Sequence, residues 1–344
     1  MLMNLPRPSE DRAWCDAVLP RVSRTFALNI RLLTGTFREA VSVGYLLCRA
    51  ADTLEDSWPG SADEIRGRFR LLLDSLGEDD APAEALAARA REAADGQSDF
   101  ELVAGLPRVR RVWQGLPAGD RGSLAECVRT MATGMCHYAS RAAERPPDAP
   151  YLDTEAELHD YCWVVAGCVG VMLTRLFETR QPAGDPALAR RRIELSPSVG
   201  EALQLTNILL DWPADLRRAR CHLPATWLAE HGLVPGDLVG SARPEVASLE
   251  RRLEALARAA FVRVPDYVDT LPPLALRYRL FALLPALWGL ASLEHARRDP
   301  EFPWGARRPR LPRAQLWGEA LRGLLGHHGA ALRRLRGADG PAGV

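Results

Sequence analysis

Apolar residues recur along the chain with the spacing of amphipathic helices, whereas the sustained apolar–polar alternation that marks strands is almost absent. Breakers that contain Gly or Pro separate the periodic segments and leave short connections. The pattern predicts helices over residues 9–19, 23–33, 37–57, 61–76, 81–94, 99–113, 119–143, 153–180, 186–195, 198–217, 243–262, 274–297 and 312–335. We therefore expect one all-α domain over residues 1–336, a multi-helix bundle with a central cavity, and a disordered tail over residues 337–344.

Two of these segments, Tyr161–Phe177 and Leu280–Leu293, are apolar on nearly every side. A helix without a polar face belongs in the middle of a large bundle. Gly167 and Gly170 cost the first segment about 1 kcal/mol each in helix propensity, which is tolerable if another backbone or a ligand comes close there. Pro285 should kink the second segment.

Composition excludes several kinds of site. All 44 basic residues are Arg, because the sequence contains no Lys. A Schiff-base enzyme and a Walker P-loop are thereby excluded, whereas phosphate binding by Arg is not. A net charge of zero gives no sign of a nucleic-acid partner. Seven scattered Cys without a CxxC pair favour reduced thiols in a cytoplasmic protein over a disulfide or zinc framework.

No uncharged apolar run reaches the length that crosses a bilayer. The longest runs, Tyr161–Thr174 and Leu280–Leu293, fall short of the roughly 20 residues required. The segment Met1–Trp14 lacks the apolar region of a signal peptide. We expect a soluble cytoplasmic protein without a transmembrane segment, for which peripheral contact with membrane lipid stays open.

An acidic cluster closes one apolar helix, in the order Arg49-Ala-Ala-Asp52-Thr-Leu-Glu55-Asp56. On a helix Asp52 and Asp56 lie about 6 Å apart at Cβ, and like charges at that spacing repel unless a cation lies among them. Mg²⁺ usually binds through one or two carboxylates plus substrate phosphate. Arg49, one turn earlier, could hold a carboxylate or the phosphate. The alternative is a solvated acidic helix end.

A second set of oxygen donors, Asn207, Asp211 and Asp215, falls at i, i+4 and i+8 and forms a ridge about 12 Å long on one helix. A basic cluster over residues 217–220 follows it. Sites that bind Mg²⁺–diphosphate recurrently combine acidic side chains, which bind the metal, with neighbouring Arg side chains, which bind the phosphate. The alternative is a surface stripe in which the Arg residues pair with the acids. Two acidic ridges on separate apolar helices of a bundle could face each other across a cavity.

Tyr161 opens the apolar segment, where a buried hydroxyl needs a partner. It is either a core tyrosine hydrogen-bonded to backbone or a general acid/base in a dry site.

These residues resemble the motifs of the squalene/phytoene synthase family, head-to-head trans-prenyltransferases with an isoprenoid synthase-like fold. The resemblance covers about Ser23 to Arg313. It rests on four ordered motifs: Ser23-Arg24-Thr25-Phe26; Tyr45, Arg49 and Asp52–Asp56; Tyr161-Cys162, Val165-Ala166-Gly167 and Val169-Gly170; and Gln204–Asp215 with Arg217–Arg220 and Leu223-Pro224.

The resemblance implies a role for each matching residue. Mg²⁺–diphosphate would be bound by six oxygen donors: Asp52, Glu55, Asp56, Asn207, Asp211 and Asp215. Diphosphate oxygens would contact Ser23, Arg24, Arg49 and Arg220, and the substrate-binding residues also include Gln204. Proton movement and cation stabilisation would fall to Tyr45 and Tyr161, and the prenyl pocket would be lined by Phe26 and residues 165–171.

Within the family, the DTLED form of Asp52–Asp56 and the segment Thr174–Phe177 are similar to squalene synthases, whereas phytoene and dehydrosqualene synthases usually show DDxxD. Arg308 and Arg310 lie in a stretch that resembles a basic segment used near NADPH; a solvated basic loop is the alternative. The resemblance implies that two farnesyl diphosphates condense with Mg²⁺ to presqualene diphosphate, which NADPH reduces to squalene. The enzyme would be a monomer or a homodimer.

Three departures from the family pattern leave the product open. Pro213 lies inside the second ridge, where it removes a hydrogen bond and could displace Asp215. Leu210 stands where the family often has Arg, and Ala214 where it often has an acid. The alternatives are a dehydrosqualene or phytoene synthase without reduction, a family member that prenylates another acceptor, and a non-catalytic binding or assembly protein. Retention of buried like charges argues against the last.

Overall fold

The computed structural model describes residues 8–93, 98–146, 149–240, 242–305, 308–312, 318 and 328–337, with the backbone alone at positions 8, 24 and 328. Regular secondary structure within these ranges is helical throughout, which confirms the all-α prediction. Contacts divide the chain into two units, Met1–Glu144 with Met172–Pro182 and Arg145–Val171 with Ala183–Val344. The single domain and its central cavity stay predictions, and the predicted tail from residue 338 onward lies outside the described residues.

Eight helices lie wholly within the described part of the first unit: α1 Pro8–Val22, α2 Arg24–Ile30, α3 Gly35–Asp56, α4 Ala62–Asp74, α5 Ala81–Ala93, α6 Ser98–Ala104, α7 Leu106–Gln114 and α8 Ala118–Glu144. Helix α3 packs against α4, α6, α7 and α8. Its apolar residues from Ala40 to Leu54 are buried on nearly every side of the helix, as expected for a helix in the middle of a bundle. A capping box starts α4, in which Ser61 and Glu64 satisfy each other's backbone N–H groups.

The second unit contains α9 Glu155–Cys162, a π-helical turn Trp163–Gly167, α10 Cys168–Glu178, α11 Pro186–Leu195, α12 Pro197–Leu216, α13 Ala225–Glu230, a 3₁₀ turn Pro235–Leu238, α14 Pro244–Asp269, α15 Leu276–Ala296 and α16 His328–Arg336. Residues of α10 from Met172 onward belong to the first unit. Helix α12 lies at the centre, against α14, α15 and the π-helical turn.

The helix predicted over residues 99–113 is wrong as a single element, because it breaks at Gly105. A Cβ built on Gly105 would lie 2.0 Å from the ring of Trp14, so only glycine fits against that ring. The following helix α7 begins with Leu106 and carries a proline in its first turn, a favoured position for proline. By contrast Pro285 lies inside α15, which continues to Ala296. The helix predicted over residues 312–335 lies largely outside the described residues.

One helical stretch of the described chain, Glu155–Glu178, is long and apolar enough to cross a membrane. Half of the most apolar 18 residues of this stretch are buried within the protein. This stretch consists of α9, the π-helical turn and α10, which follow one another without a break. It is therefore longer than the uncharged run Tyr161–Thr174.

Backbones approach each other closely where the π-helical turn and the start of α10 meet α12. A Cβ on Gly170 would lie 2.2 Å from the carbonyl oxygen of Ser196, and a Cβ on Gly200 would lie 2.2 Å from that of Ala166. Real Cβ atoms do not approach a backbone oxygen to that distance. The expectation that another backbone accounts for Gly170 is therefore confirmed, and Gly200 is its counterpart on α12.

Glu250 on α14 should make the stability of the protein depend on pH. Burial, and next the neighbouring carboxylate of Glu254, raise the pKa of Glu250 to about 7. The folded state therefore retains this proton longer than the unfolded state, and the free energy of unfolding falls as the pH rises from about 4.5 to above 7. We expect Glu250→Gln to raise the stability at pH 8 by about 1–2 kcal/mol, after allowance for partial solvent screening, and to change it little at pH 4.

Thermal unfolding at several pH values measures this effect. Asp266→Asn is the matched control, since it changes an exposed carboxylate on the same helix. A Glu250→Gln variant whose melting temperature follows the wild type at every pH would contradict the prediction.

Candidate functional site

The first acidic cluster lies in the last turns of α3, where the helix passes from the core of the first unit towards solvent. Arg49 donates to Asp99 Oδ2 at 2.7 Å and lies 3.6 Å from Asp52 Oδ2. Its buried Nε has no hydrogen-bond partner. Glu55 is buried and Asp56 is exposed. The predicted pairing of Arg49 with Asp52 is present, and Asp99 from α6 is an additional partner that the sequence did not reveal.

The environment of Asp52 fits a cation. Burial is the main cause that raises the pKa of Asp52 to about 7, and the nearby carboxylates of Asp56 and Asp99 raise it further against the lowering effect of Arg49. A divalent cation would reverse this shift, because positive charge near a carboxylate favours its ionised form.

Tyr45, Ser23 and Phe26 form a second group in the first unit. Ser23 caps α2, where its Oγ accepts from the N–H of Phe26 at 3.2 Å. The Phe26 ring stacks on Tyr45 with 5.7 Å between centroids, and 40% of Phe26 remains exposed. Burial raises the pKa of Tyr45 to about 12, so its phenol keeps its proton at neutral pH. The side chain of Arg24 lies outside the described residues.

The second ridge lies on α12 as the spacing predicted. Asn207 is exposed, Asp211 and Asp215 are half-buried, and Gln204 is half-buried one turn before Asn207. The apolar residues between the donors, residues 208–210, are buried. They pack the other sides of α12 against the core. Pro213 is buried within α12, and the helix continues to Leu216, so Asp215 keeps its place on the same helix.

A guanidinium group already lies on this ridge. Arg308 Nη1 donates to both carboxylate oxygens of Asp211 at 2.7 Å, and its Nη2 lies 3.4 Å from Asn207 Oδ1. Arg310, two residues later, is exposed. The sequence suggested that Arg308 could bind cofactor phosphate, whereas the structure places it against the proposed metal ligands.

His222 joins Asp215 to two tyrosine rings. Its Nδ1 lies 3.4 Å from Asp215 Oδ2, and its ring centroid lies 5.3 Å from that of Tyr161 and 4.9 Å from that of Tyr151. Tyr161 is buried, as the sequence predicted. Arg220 lines a small pocket together with Asp215, His222 and Trp212. Neither His222 nor Tyr151 was identified from the sequence, because their contacts are made only after the chain turns back on itself.

Each ridge can provide part of a metal site rather than a complete cage. Among the residues that the structure describes, no three His, Cys, Asp or Glu side chains converge on one point. Mg²⁺ usually keeps several waters and binds through one or two carboxylates plus substrate phosphate. The donor sets therefore suit a metal that arrives with a diphosphate.

Comparisons with known proteins agree with these motifs. A family model described as squalene/phytoene synthase matches residues 19–315. The squalene synthase of Schizosaccharomyces pombe is 28% identical over 291 residues, which are 83% of this chain and 60% of that protein. The bifunctional lycopene cyclase/phytoene synthase of Podospora anserina is 31% identical over 245 residues, which are 69% of this chain and 40% of that protein.

A solved structure of TcSQS with the ligand E5700 has the same fold. Its TM-score is 0.75 at 23% identity, over 95% of this chain and 90% of that one. At 23% identity, this structural similarity shows the fold alone. The chain spans about 60% of the length of the squalene synthase of Schizosaccharomyces pombe.

Proposed function

The chain belongs to the squalene/phytoene synthase family, and from this premise we propose that it is a prenyltransferase that condenses two isoprenoid diphosphates head to head. The finer proposal is a squalene synthase that joins two farnesyl diphosphates through presqualene diphosphate and reduces the product with NADPH. The similarity to both squalene and phytoene synthases keeps a non-reducing dehydrosqualene or phytoene synthase as the second candidate. A family member that prenylates another acceptor would be distinguished by its product.

The observation that carries the proposal is the ridge on α12, where the side chains of Asp211 and Asn207 bind the positively charged guanidinium group of Arg308. We propose that Asn207, Asp211 and Asp215 bind Mg²⁺–diphosphate, and that Asp52, Glu55 and Asp56 do so on α3. Bound Mg²⁺ would supply charge stabilisation for the departing diphosphate. Arg49 and Arg220, with Ser23 and Arg24, would contact the diphosphate oxygens, because guanidinium groups match phosphate geometry.

The tyrosines and apolar side chains would act on the prenyl part of the reaction. With its phenol protonated at neutral pH, Tyr45 can donate a hydrogen bond to an oxygen of the leaving group. Tyr161 presents an aromatic ring that can stabilise positive charge. In the first unit the partly exposed ring of Phe26, and in the second unit residues 165–171, would each offer apolar surface to a prenyl chain and exclude water that would quench a carbocation.

The reductant is a separate proposal. Arg308 and Arg310 would bind the phosphates of NADPH, which supplies hydride when bound, and Arg308 would have to leave Asp211 to do so. We further propose a cytoplasmic enzyme, for which peripheral membrane contact stays open, that has no nucleic-acid partner and is active as a monomer or a homodimer.

Product analysis tests the proposed function. The protein is incubated with Mg²⁺ and either farnesyl diphosphate or geranylgeranyl diphosphate, with and without NADPH. Squalene that forms only with NADPH would support the full reaction. A product that does not change with NADPH would instead assign the protein to the non-reducing branch. That product would be presqualene diphosphate or dehydrosqualene from farnesyl diphosphate, or phytoene from geranylgeranyl diphosphate. Failure to consume either diphosphate would contradict the prenyltransferase proposal.

Arg308→Gln should tighten divalent-metal binding at the ridge about two- to fivefold, because it removes a competing positive charge from Asp211. The factor is modest because the ion pair is partly exposed, and pairs of that kind are worth little. Titration of Mn²⁺ in the presence of inorganic diphosphate measures it. Arg310→Gln removes one charge from the same segment and serves as the control. Unchanged or weaker metal binding by Arg308→Gln would show that the guanidinium does not compete.

A further inference from the structure

The chain reverses immediately after the second ridge. Ala219 has a φ of 56°, and its N–H donates to the carbonyl of Leu216 at 3.0 Å, while Arg220 N–H donates to that of Asp215 at 2.9 Å. This pair of hydrogen bonds around a left-handed residue is a Schellman motif, which ends α12 at its C-terminus. The reversal returns Arg220 and His222 to the side of Asp215.

A second set of backbone contacts fixes the returning segment. Tyr151 N–H donates to the carbonyl of Cys221 at 2.6 Å, and Ala225 N–H donates to that of Leu152 at 2.9 Å. His222 is thus held between two anchored neighbours. Its side chain is only 9% exposed, so it has little freedom to choose another position.

The imidazole of His222 therefore contacts two residues of the proposed site at once. Nδ1 lies 3.4 Å from Asp215 Oδ2. The ring lies against Tyr161 at an interplanar angle of 31°, and Tyr151 packs on both of these rings, with 5.8 Å between its centroid and that of Tyr161. A carboxylate that is held by a neighbouring donor presents its free oxygen to a metal in one orientation, and such supporting contacts are worth about 10–100-fold in metal affinity.

We propose that His222 is a positioning residue, which orients Asp215 for the metal–diphosphate complex through Nδ1 and holds the ring of Tyr161 through its own ring. The inference rests on the proposed function in that Asp215 is taken as a metal ligand. It adds a residue outside the motifs that carried the family resemblance, and it assigns different tasks to the two parts of one side chain.

Two substitutions separate the two tasks. His222→Phe keeps a ring against Tyr161 but removes the nitrogen beside Asp215. His222→Asn keeps a short polar side chain that can donate to Asp215 but removes the ring. The probe is Mn²⁺ with inorganic diphosphate, titrated by calorimetry against the full chain, together with the melting temperature.

We expect His222→Phe to weaken Mn²⁺–diphosphate binding about tenfold with little change in melting temperature. His222→Asn should restore the affinity to within about threefold while it lowers the melting temperature, since a ring contact is lost. The control is His159→Phe, which removes another histidine–carboxylate pair of the second unit, with Glu201 at 3.0 Å, and should leave metal binding unchanged.

Two results would overturn the inference: Mn²⁺ binding by His222→Phe as tight as wild type, or equal loss of binding in both variants in proportion to a fall in melting temperature. Absence of binding to the wild type would also overturn it. Product analysis of the wild type distinguishes this failure from that of the proposed function. A wild type that binds the metal tightly but turns over no prenyl diphosphate would leave the role of His222 standing while the catalytic proposal fails.

Discussion

Asp211→Asn should lower turnover of prenyl diphosphate by about 10²–10³-fold, the range in which removal of one charge-stabilising group falls. The change keeps the shape of the side chain but removes the charge that holds Arg308 in the structure and would hold the metal. Asp52→Asn should have an effect of similar size in the first unit. Steady-state turnover at several Mg²⁺ concentrations measures the loss, and circular dichroism should show unchanged helical content in both variants.

Matched controls exist in both units. Asp269→Asn removes the carboxylate of another Arg–Asp ion pair, with Arg336, on the surface of the second unit. Asp63→Asn does the same for the exposed pair with Arg66 on α4. Both controls should retain wild-type turnover. If Asp52→Asn or Asp211→Asn also retained it, the corresponding ridge would not bind the catalytic metal.

Gly200→Ala should strongly destabilise the protein although it adds only one methyl group. The added Cβ would lie 2.2 Å from the carbonyl oxygen of Ala166 and 2.6 Å from its carbon. Both are backbone atoms, so no side-chain rotation can relieve the overlap, and α12 and the π-helical turn must move apart. We expect a loss of about 3 kcal/mol or more in the free energy of unfolding, measured by urea denaturation.

Gly122→Ala provides the contrast. Gly122 lies within α8, and a Cβ there would meet nothing within 4 Å. Alanine is a better helix former than glycine by about 1 kcal/mol, so this variant should be more stable than the wild type. A Gly200→Ala protein as stable as Gly122→Ala would show that the two backbones are not in contact in solution.

The sequence predicted the parts of the candidate site that depend on local spacing. Asp52 and Asp56, and the ridge from Asn207 to Asp215, follow from positions on one helix, where four residues return a side chain to the same face. Asp99 and His222 could not be found in this way. Asp99 reaches Arg49 from another helix, and His222 reaches Asp215 only because a Schellman motif turns the chain back.

The same distinction holds for the fold. Helical periodicity predicted the class and most of the elements, but not the break at Gly105, a position where the ring of Trp14, about ninety residues earlier in the chain, leaves room only for glycine. The pattern predicted continuous helices over residues 198–217 and 274–297 despite Pro213 and Pro285, and both helices continue past these prolines. Packing on either side of a helix can keep it continuous through a proline that costs a backbone hydrogen bond.

The π-helical turn Trp163–Gly167 sets the angular phase between the two ends of the long helix in which it lies. Its hydrogen bonds span one residue more than those of an α-helix, and one residue corresponds to about 100° of rotation. Deletion of a single residue here, such as the exposed Trp163, would allow regular α-helix throughout. Because the extra residue and the wide turn would disappear together, the deletion would keep Tyr161 at about its present angle to Gly170, whereas regular α-helix without a deletion would rotate Tyr161 by about 100°. A relative that lacks one residue in this segment and forms regular α-helix would therefore present the same face to α12.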